Sequence, residues 1–239
     1  MDGLRHGTQE RNRPEQYDEL ADAWWDPRGP FAMLAWLAAH RATLVPPAPR
    51  EGALLLDLAC GGGLLAPHLR GYRHVGLDLS PTAVRVARAH GVTTVQGDVT
   101  RLPFADACAD VVVAGEVLEH VAHPAVLLAE AVRVLRPGGT LVLDTIADTR
   151  LAKVVSITVA ERLPGGPPRG LHDPALLVDR RALVRTCADL GVDLRLRGLR
   201  PSAGDYLRWL AGRRDGVRMV ATPLTSVLFT GTGSKRAHG

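Results

Sequence analysis

Two carboxylates and an imidazole occur within five residues of one another in the segment EVLEHV, at Glu116, Glu119 and His120. On a turn of helix, residues three and four apart share a face, so these side chains can converge. Converging carboxylates and an imidazole can hold one divalent cation, and this is the interpretation that the pattern favours. Two alternatives remain: His120 acts alone as a general base on a hydroxyl group, or Glu119 and His120 only orient their loop.

A second motif, LLLDLACGGG, suits the approach of a ligand to the backbone. An apolar run ends at Asp57, and Ala59 and Gly61 to Gly63 follow within a few residues. Small residues let the chain turn tightly after a strand, before the next helix begins. A glycine turn of this kind is also common without any ligand, so the motif alone is ambiguous.

Two further acidic residues end apolar runs later in the chain. Asp78, in GLDLS, comes about 20 residues after Asp57, where a carboxylate can accept hydrogen bonds from both hydroxyls of a ribose. Asp98, in QGDV, can accept from an adenine amino group, although it can equally be a turn or cap residue. With their neighbours Leu79 and Val99, these residues predict a nucleoside site.

The glycine turn also bears on which nucleotide is bound. It reads A-C-G-G-G-L and lacks the spaced third glycine of the dinucleotide fingerprint, in which a helix N-terminus holds a pyrophosphate. A phosphate-free nucleoside therefore fits this turn better than a dehydrogenase cofactor does.

The elements around these motifs alternate between strands and helices. From Ala53 onward, short apolar runs alternate with amphipathic segments, which predicts βαβ units and a parallel sheet with residues 115–121 at its ligand-binding edge. LLAPHLR is expected to be helical, and the sequence RPGG is expected to end a helix before a strand that starts at Thr140. Helices are also predicted over about 14–24, 30–44, 179–190 and 205–210, and the last two strand-like segments are expected to form an antiparallel pair at one edge.

Composition narrows the class of protein. The chain has 239 residues, 46% of them hydrophobic and 4% aromatic, which is enough for an aliphatic core and excludes intrinsic disorder. Three widely spaced cysteines argue against a disulfide framework or a zinc cluster. There is no signal-peptide pattern and no apolar run of about 18 residues, so a cytoplasmic protein is expected.

Charge is distributed unevenly along the chain. Residues 150–239 hold 16 Lys and Arg against 7 Asp and Glu, whereas residues 1–149 hold 13 against 18. Scattered arginines can serve solubility, or they can form a surface that meets anionic lipid. Nucleic acid is not expected as a partner, because the basic residues alternate with Leu and Val rather than with stacking aromatics.

Taken together, D-x-x-C-G-G-G, GLDLS, EVLEHV and LRPGG resemble the class I methyltransferases, which use S-adenosylmethionine (SAM). YDELADAWWDPRGPF and LPGGPPRGLHDP resemble the O-methyltransferases of ubiquinone biosynthesis, which act on demethylubiquinol and polyprenyl-dihydroxybenzoate. This resemblance, over about 17–219, implies a Rossmann-like α/β fold: a mostly parallel seven-stranded sheet with an antiparallel edge strand and helices on both faces. It implies one domain over 14–239 after a flexible tail of 1–13, with N-terminal helices to 50, a SAM-binding core over 51–145, and acceptor-site, lid and edge-strand residues over 146–239.

The resemblance also assigns roles to individual residues. The family's SAM site falls on Arg41, Ala59, Asp78 and Gly115, with the Arg41 guanidinium expected at the methionyl carboxylate. The family's Mg²⁺ pattern E-x-x-E-H falls on the EVLEHV cluster. Ala59 stands in place of the usual first glycine of the loop, a change that is tolerable if its φ is negative. Gly115 stands where a larger residue is common, which predicts a looser adenine pocket. The full set predicted to bind the cofactor is Arg41, Asp57, Ala59, Gly61, Asp78, Leu79, Asp98, Val99 and Gly115.

The implied activity is SAM-dependent O-methylation of a catechol or hydroxyquinone-like ring, with a lipophilic tail as one option. The family's membrane-contact segment falls on residues 151–171, which can equally be a helix that covers the active site. Methylation of another small metabolite is the alternative activity, and a non-catalytic nucleoside-binding subunit is the alternative class. A nucleic-acid methyltransferase is disfavoured, since no base-pocket motif is present.

Overall fold

The structure is a computed structural model that describes residues 12, 18 and 20–237. Apart from Asn12, the predicted flexible tail of 1–13 lies outside the described residues, as does most of 14–19. Of the helix predicted over 14–24, the described part contains one helical residue, Asp18, and the short turn Ala21–Ala23. The division of the chain into a tail and one domain with three parts stays a prediction.

One eight-stranded sheet organises the described chain, in the order β3-β2-β1-β4-β5-β8-β6-β7. The strands β1 to β5 are parallel, and β8, β6 and β7 continue the sheet with antiparallel pairings. The bounds are β1 Ala53–Leu58, β2 Tyr72–Asp78, β3 Thr93–Gln96, β4 Ala109–Gly115, β5 Leu135–Ile146, β6 Arg195–Pro201, β7 Met219–Thr222 and β8 Leu228–Ser234.

Among the described residues, five α-helices of eight or more residues accompany the sheet, besides a helical segment of mixed type over 150–162, and side-chain caps fix the start of three of the five. Ser80 accepts the amide of Ala83, Ser202 accepts the amide of Asp205, and Asp179 accepts two amides of the following turn, as expected for polar N-cap residues. The helices are α1 Ala32–Ala42, α2 Pro81–Ala89, α3 Pro124–Val134, α4 Arg180–Asp189 and α5 Ala203–Leu210.

Alternating side chains of the central strands enter two different cores. Val112 of β4 belongs to the larger cluster, with Leu127 of α3 and Leu183 of α4, while Val111 and Val113 belong to a second cluster. Successive strand residues point to opposite faces, so a strand buried on both sides must be apolar at nearly every position. This is why the runs in the sequence are uninterrupted, and the fold class that they predict is confirmed.

The last third of the chain differs from expectation in strand number and order. The segment VRMVATPLTSVLFTGT contains two strands rather than one, β7 and β8, separated by a turn at Pro223. Proline lacks the N–H that a ladder needs, so the strand ends before it. The returning β8 lies between β5 and β6, which gives eight strands instead of seven and three antiparallel pairings instead of an edge pair.

Two helix boundaries also differ. The helix predicted for LLAPHLR is only the turn Ala66–His68, because Pro67 lacks an amide donor and disfavours helical φ and ψ in the residue before it. The strand predicted to start at Thr140 already starts at Leu135, and a register shift between Ala109 and Val111 of β4 absorbs the extra residues.

Within the described residues, no helix combines the length and the apolar character that crossing a membrane requires.

Candidate active site

A cavity of about 580 Å³ opens where β1, β2 and β4 end. Every residue that the sequence predicts to bind the cofactor lines it, as do Glu116 and His120 of the predicted metal set. This edge collects them because parallel strands present their carboxyl ends on one side of a sheet. The rest of the lining is largely apolar and comes from α1, residues 151–171 and the edge strands, including Met33, Leu37, Val155, Leu171, Leu199 and Leu228.

Asp78 and Asp98 are both held by backbone amides. The two carboxylate oxygens of Asp78 accept the amides of Gly61, at 2.8 Å, and Ser80, at 3.0 Å. Burial raises the pKa of Asp78, although these amides act in the opposite direction. Asp98 accepts the amide of Thr100 at 2.8 Å, so its turn role is present together with its place in the cavity wall.

The glycine loop packs against the indole ring of Trp24, a contact that the sequence did not predict. A Cβ on Gly61 would lie 2.4 Å from the Trp24 ring, and Trp25 donates to the carbonyl oxygen of Gly62 at 2.9 Å. The lack of a side chain at Gly61 and Gly62 therefore leaves room for the Trp24 ring as well as for a ligand. Trp24 also lines the cavity.

Ala59 does not have the negative φ that would make it a tolerable replacement for glycine. Its φ is +55°, in the left-handed region where a Cβ costs about 1–2 kcal/mol. The backbone turns at Ala59 as it would at the usual glycine. Ala59 lines the cavity, so this strained residue lies in the cavity wall.

Arg41 is paired with a carboxylate that the sequence analysis missed. It donates from Nε and Nη2 to Asp144, at 2.6 and 2.7 Å, and both side chains are buried. Burial alone would lower the pKa of Arg41, but the Asp144 pair and the carboxylates of Asp57 and Glu116 outweigh it and raise that pKa. A Cβ on Gly115 would lie 1.9 Å from Arg41 Cζ, so the space expected to loosen the adenine pocket is filled by the guanidinium.

The predicted helical face of Glu116, Glu119 and His120 does not form. The helical turn covers only Leu118–His120, and Glu116 precedes it with φ of +49°, so the i, i+3, i+4 geometry is lost. Among the described residues, the ligand atoms that lie within 4.8 Å of one another belong instead to Glu119, His120 and His172.

The surroundings of this three-residue cluster suit a cation. Glu119 Oε2 accepts from Thr145 at 2.6 Å, while its buried Oε1 has no hydrogen-bond partner among the described residues. The ring centroids of His120 and His172 are 5.5 Å apart, and His172 Nδ1 lies 3.7 Å from the carboxylate of Glu161. A second carboxylate beside a histidine is typical around metal ligands, so the residues present fit a bound divalent ion.

Ionisation equilibria in this corner are shifted by burial. Burial raises the pKa of Glu116, and the nearby carboxylates of Glu119 and Asp144 raise it further. Burial also raises the pKa of Glu119, against the effect of its Thr145 hydrogen bond. Burial and the neighbouring His172 lower the pKa of His120 to about 3, so this imidazole is neutral at physiological pH.

Asn12, from the predicted flexible tail, also belongs to the site. It lines the cavity, and its side-chain amide forms hydrogen bonds with His120. Its backbone amide donates to the carbonyl oxygen of Gly170. The sequence gives no signal for it, since a single asparagine in a polar stretch has no periodic pattern.

Comparisons with known proteins identify the family of the chain. The family described as Methyltransferase domain matches residues 56–143. The chain is 30% identical over 212 residues to the ubiquinone biosynthesis O-methyltransferase of Leptothrix cholodnii, covering 82% of this chain and 89% of that protein. For the enzyme of the same name from Methylobacterium sp. strain 4-46, identity is 32% over 231 residues, covering 87% and 92%.

Solved structures agree at the level of the fold. A SAM-dependent methyltransferase from Thermotoga maritima aligns with a TM-score of 0.64 at 18% identity, covering 93% of this chain and 95% of that one. The resemblance noted in the sequence is therefore confirmed by both sequence and fold. The chain belongs to the family of the ubiquinone biosynthesis O-methyltransferases and is a SAM-dependent methyltransferase with a Rossmann-like fold.

Proposed function

We propose that this chain transfers a methyl group from SAM to a hydroxyl of a catechol or hydroxyquinone-like ring that carries a lipophilic tail. The observation that carries the proposal is the composition of the cavity. Acidic residues at the strand ends adjoin an apolar wall, and the cluster of Glu119, His120 and His172 lies beside them. A flat ring with adjacent hydroxyls needs both an apolar wall and a polar group at one edge.

In this proposal the nucleoside lies along the strand ends. Asp78 accepts from the ribose hydroxyls with its remaining lone pairs, and Asp98 with Val99 contacts the adenine. Leu79 covers the sugar and base, while Asp57, Ala59 and Gly61 border the amino-acid chain. Arg41, next to Gly115, binds the methionyl carboxylate. The sulfonium of SAM supplies a methyl group already activated for in-line displacement, so alignment and exclusion of water are the main tasks of these residues.

The acceptor must lose a proton, and the described residues favour a cation over direct base catalysis. A phenol has a pKa near 10, whereas the pKa of His120 is lowered to about 3, which makes this imidazole a weak base. A bound divalent cation would lower the pKa of the hydroxyl, as it does for water. Glu119, His120 and His172 would hold it, and a neutral imidazole is the form that ligation requires.

The identity of the cation follows from the donor set. Mg²⁺ prefers oxygen ligands, which the predicted pair of glutamates offers, whereas two imidazoles with one carboxylate suit Mn²⁺, Fe²⁺ or Zn²⁺. The cluster of Glu119, His120 and His172 therefore fits Mn²⁺, Fe²⁺ or Zn²⁺ better than Mg²⁺, and Mg²⁺ would need Glu116 to supply a second carboxylate by turning its side chain toward the cluster.

A lipophilic acceptor would be reached at a membrane surface, and exposed apolar side chains beside the cavity support this. Leu151 and Val154 are 53% and 54% exposed, on a helical segment over 150–162 that also lines the cavity. Leu207, on α5, is 65% exposed. The two elements lie close together, since Tyr206 of α5 donates to the carbonyl oxygen of Pro164, two residues after the helical segment, at 2.9 Å.

Exposed positive charge supports anionic lipid as that surface. Arg162, Arg200, Arg208 and Arg213 are exposed on or beside the same two elements. Exposed arginines around apolar side chains are typical of segments that lie in the headgroup region. The same segment forms a wall of the cavity, so its role as a cover of the active site is compatible with lipid contact.

An assay with labelled SAM tests the activity. Purified protein is given dihydroxybenzoates with and without a prenyl tail, and a panel of amines, with an Asp78→Ala variant as the control for cofactor binding. We expect methylation of the catechols alone, faster with the tail, and none by the variant. Methylation of amines at the same rate, or no turnover of any catechol by protein that binds S-adenosylhomocysteine, would reject this acceptor class.

A further inference from the structure

Three carboxylates surround the guanidinium of Arg41, but it is paired with only one of them. Asp144, Asp57 and Glu116 all lie close enough to raise its pKa. Arg41 pairs with Asp144 through two short hydrogen bonds from Nε and Nη2 to the two carboxylate oxygens, a two-bond arrangement that fixes the orientation of a guanidinium. Nη1 makes no hydrogen bond to the described residues, and Arg41 lines the cavity.

Gly115 also borders the Arg41 guanidinium. The guanidinium lies across its backbone, where any Cβ would overlap Cζ, Nε and Nη2 at 1.9–2.2 Å. Asp144 also accepts the amide of Glu116 at 3.1 Å, so one carboxylate holds both Arg41 and the first residue of the EVLEHV segment. The end of β4 and the end of β5 thus hold Arg41 between them.

We propose that Asp144 and Gly115 are positioning residues that aim Arg41 Nη1 at the carboxylate of the cofactor and so select a nucleoside that carries an amino-acid chain. The inference rests on the proposed role of Arg41 as the carboxylate ligand. Without Asp144, the guanidinium is free to pair with Asp57 or Glu116 instead, and Nη1 is no longer aimed at the carboxylate of the ligand. Without the space at residue 115, it cannot reach Asp144 at all.

Calorimetry with two nucleosides tests this, because one has the carboxylate and the other lacks it. S-adenosylhomocysteine and 5′-deoxy-5′-methylthioadenosine are titrated into the wild type, Asp144→Asn, Gly115→Ala and Arg41→Ala. We expect the three variants to bind S-adenosylhomocysteine roughly tenfold or more weakly, the worth of a charge-assisted hydrogen bond, and methylthioadenosine within about twofold of the wild type.

Asp110→Asn is the matched control. Asp110 is also buried and also forms a two-bond pair with an arginine, Arg50, but it lies at the opposite end of β4. This variant should lose stability and keep the wild-type ratio of the two affinities. The methylthioadenosine titration also reports whether each variant is folded, and if Asp144→Asn does not fold, Gly115→Ala decides.

The possible outcomes distinguish the positioning role of Asp144 and Gly115 from the proposed role of Arg41. If Arg41→Ala alone loses S-adenosylhomocysteine, Arg41 binds the carboxylate but Asp144 and Gly115 do not aim it. If Asp144→Asn binds S-adenosylhomocysteine more tightly, Asp144 competes with the ligand and the inference is wrong. If Arg41→Ala binds both nucleosides normally, the proposed role of Arg41 itself fails. No acceptor is present in these titrations, so they are independent of the acceptor class.

Discussion

Asn12 and His120 are 108 positions apart in the chain, and they hydrogen-bond to each other twice. Asn12 Nδ2 donates to the His120 carbonyl oxygen at 3.2 Å, and Asn12 Oδ1 lies 2.6 Å from His120 Nδ1. An amide oxygen only accepts, so this pairing places the imidazole proton on Nδ1 and leaves the lone pair on Nε2. A residue close to the N-terminus thereby sets the chemical form of a proposed catalytic group.

Asn12→Ala should therefore lower kcat by about tenfold, the usual effect of removing a group that orients a metal ligand. The affinity for S-adenosylhomocysteine should not change, because Asn12 acts on His120. Asn12→Asp keeps the acceptor and should recover part of the rate. Steady-state rates at saturating SAM give the answer, and an unchanged kcat in Asn12→Ala would show that the pairing has no catalytic role.

The ligand set of the cation can be measured directly. His172→Gln should weaken binding of Mn²⁺ at least tenfold, whereas Glu116→Gln should change it by less than about threefold, since only His172 lies in the cluster with Glu119 and His120. Electron paramagnetic resonance of free Mn²⁺ provides the titration without any turnover. The reverse order of effects would favour the pair of glutamates predicted from the sequence.

Acid should destabilise the metal-free protein partly through His120. Its folded-state pKa of about 3 lies below the ordinary value of 6.5. Between these two pH values the imidazole is protonated in the unfolded state but not in the folded state. This stability is present above about pH 6.5 and is lost as the pH falls toward 3. Between pH 7 and pH 5 the loss amounts to at most about 2 kcal/mol.

Urea unfolding in the presence of a chelator measures this loss. The wild type should lose more unfolding free energy between the two pH values than His120→Gln does. The raised pKa values of Glu116 and Glu119 act in the opposite sense and lower stability as the pH rises, so they cannot mimic the effect. Equal losses in both proteins would contradict the lowered pKa.

Ala59→Gly should stabilise the protein. The φ of +55° costs an alanine about 1–2 kcal/mol, which glycine avoids. Glycine also has more conformational freedom in the unfolded chain, which offsets part of this benefit, so the expected net gain in stability is roughly 0.5–1 kcal/mol. Ala129→Gly, within α3, is the control and should lose about 1 kcal/mol. Thermal unfolding distinguishes the two, and a destabilised Ala59→Gly would mean that the turn is not strained.

Lipid contact predicts a loss of vesicle binding without a loss of chemistry. Val154→Glu and Leu207→Glu should each weaken sedimentation with vesicles that contain anionic lipid, because each puts a carboxylate among exposed apolar side chains. Turnover of a short, water-soluble catechol should stay near the wild-type rate. Val126 is 45% exposed on α3, so Val126→Glu serves as the control. Equal sedimentation of all four proteins would leave the segment as a cover of the active site only.

The sequence by itself determined the fold class and the edge of the sheet at which the chemistry lies. Buried strands such as β1 and β4 are apolar at nearly every position, and the acidic and glycine-rich motifs lie at or just after the carboxyl ends of β1 to β4. Such signals are local, because strand burial, caps and turns depend on neighbouring residues. For this reason all nine predicted cofactor residues line one cavity.

The tertiary structure alone decided which side chains meet. Asp144 with Arg41, Asn12 with His120 and His172 with Glu119 join positions far apart in the chain, and no periodicity marks such pairs. The conformation of Glu116, at φ of +49°, also comes from the surroundings, since Asp144 holds its amide and no local preference favours it. Long-range contacts and strained backbone depend on how the whole chain packs, whereas sequence patterns report only what each segment would do alone.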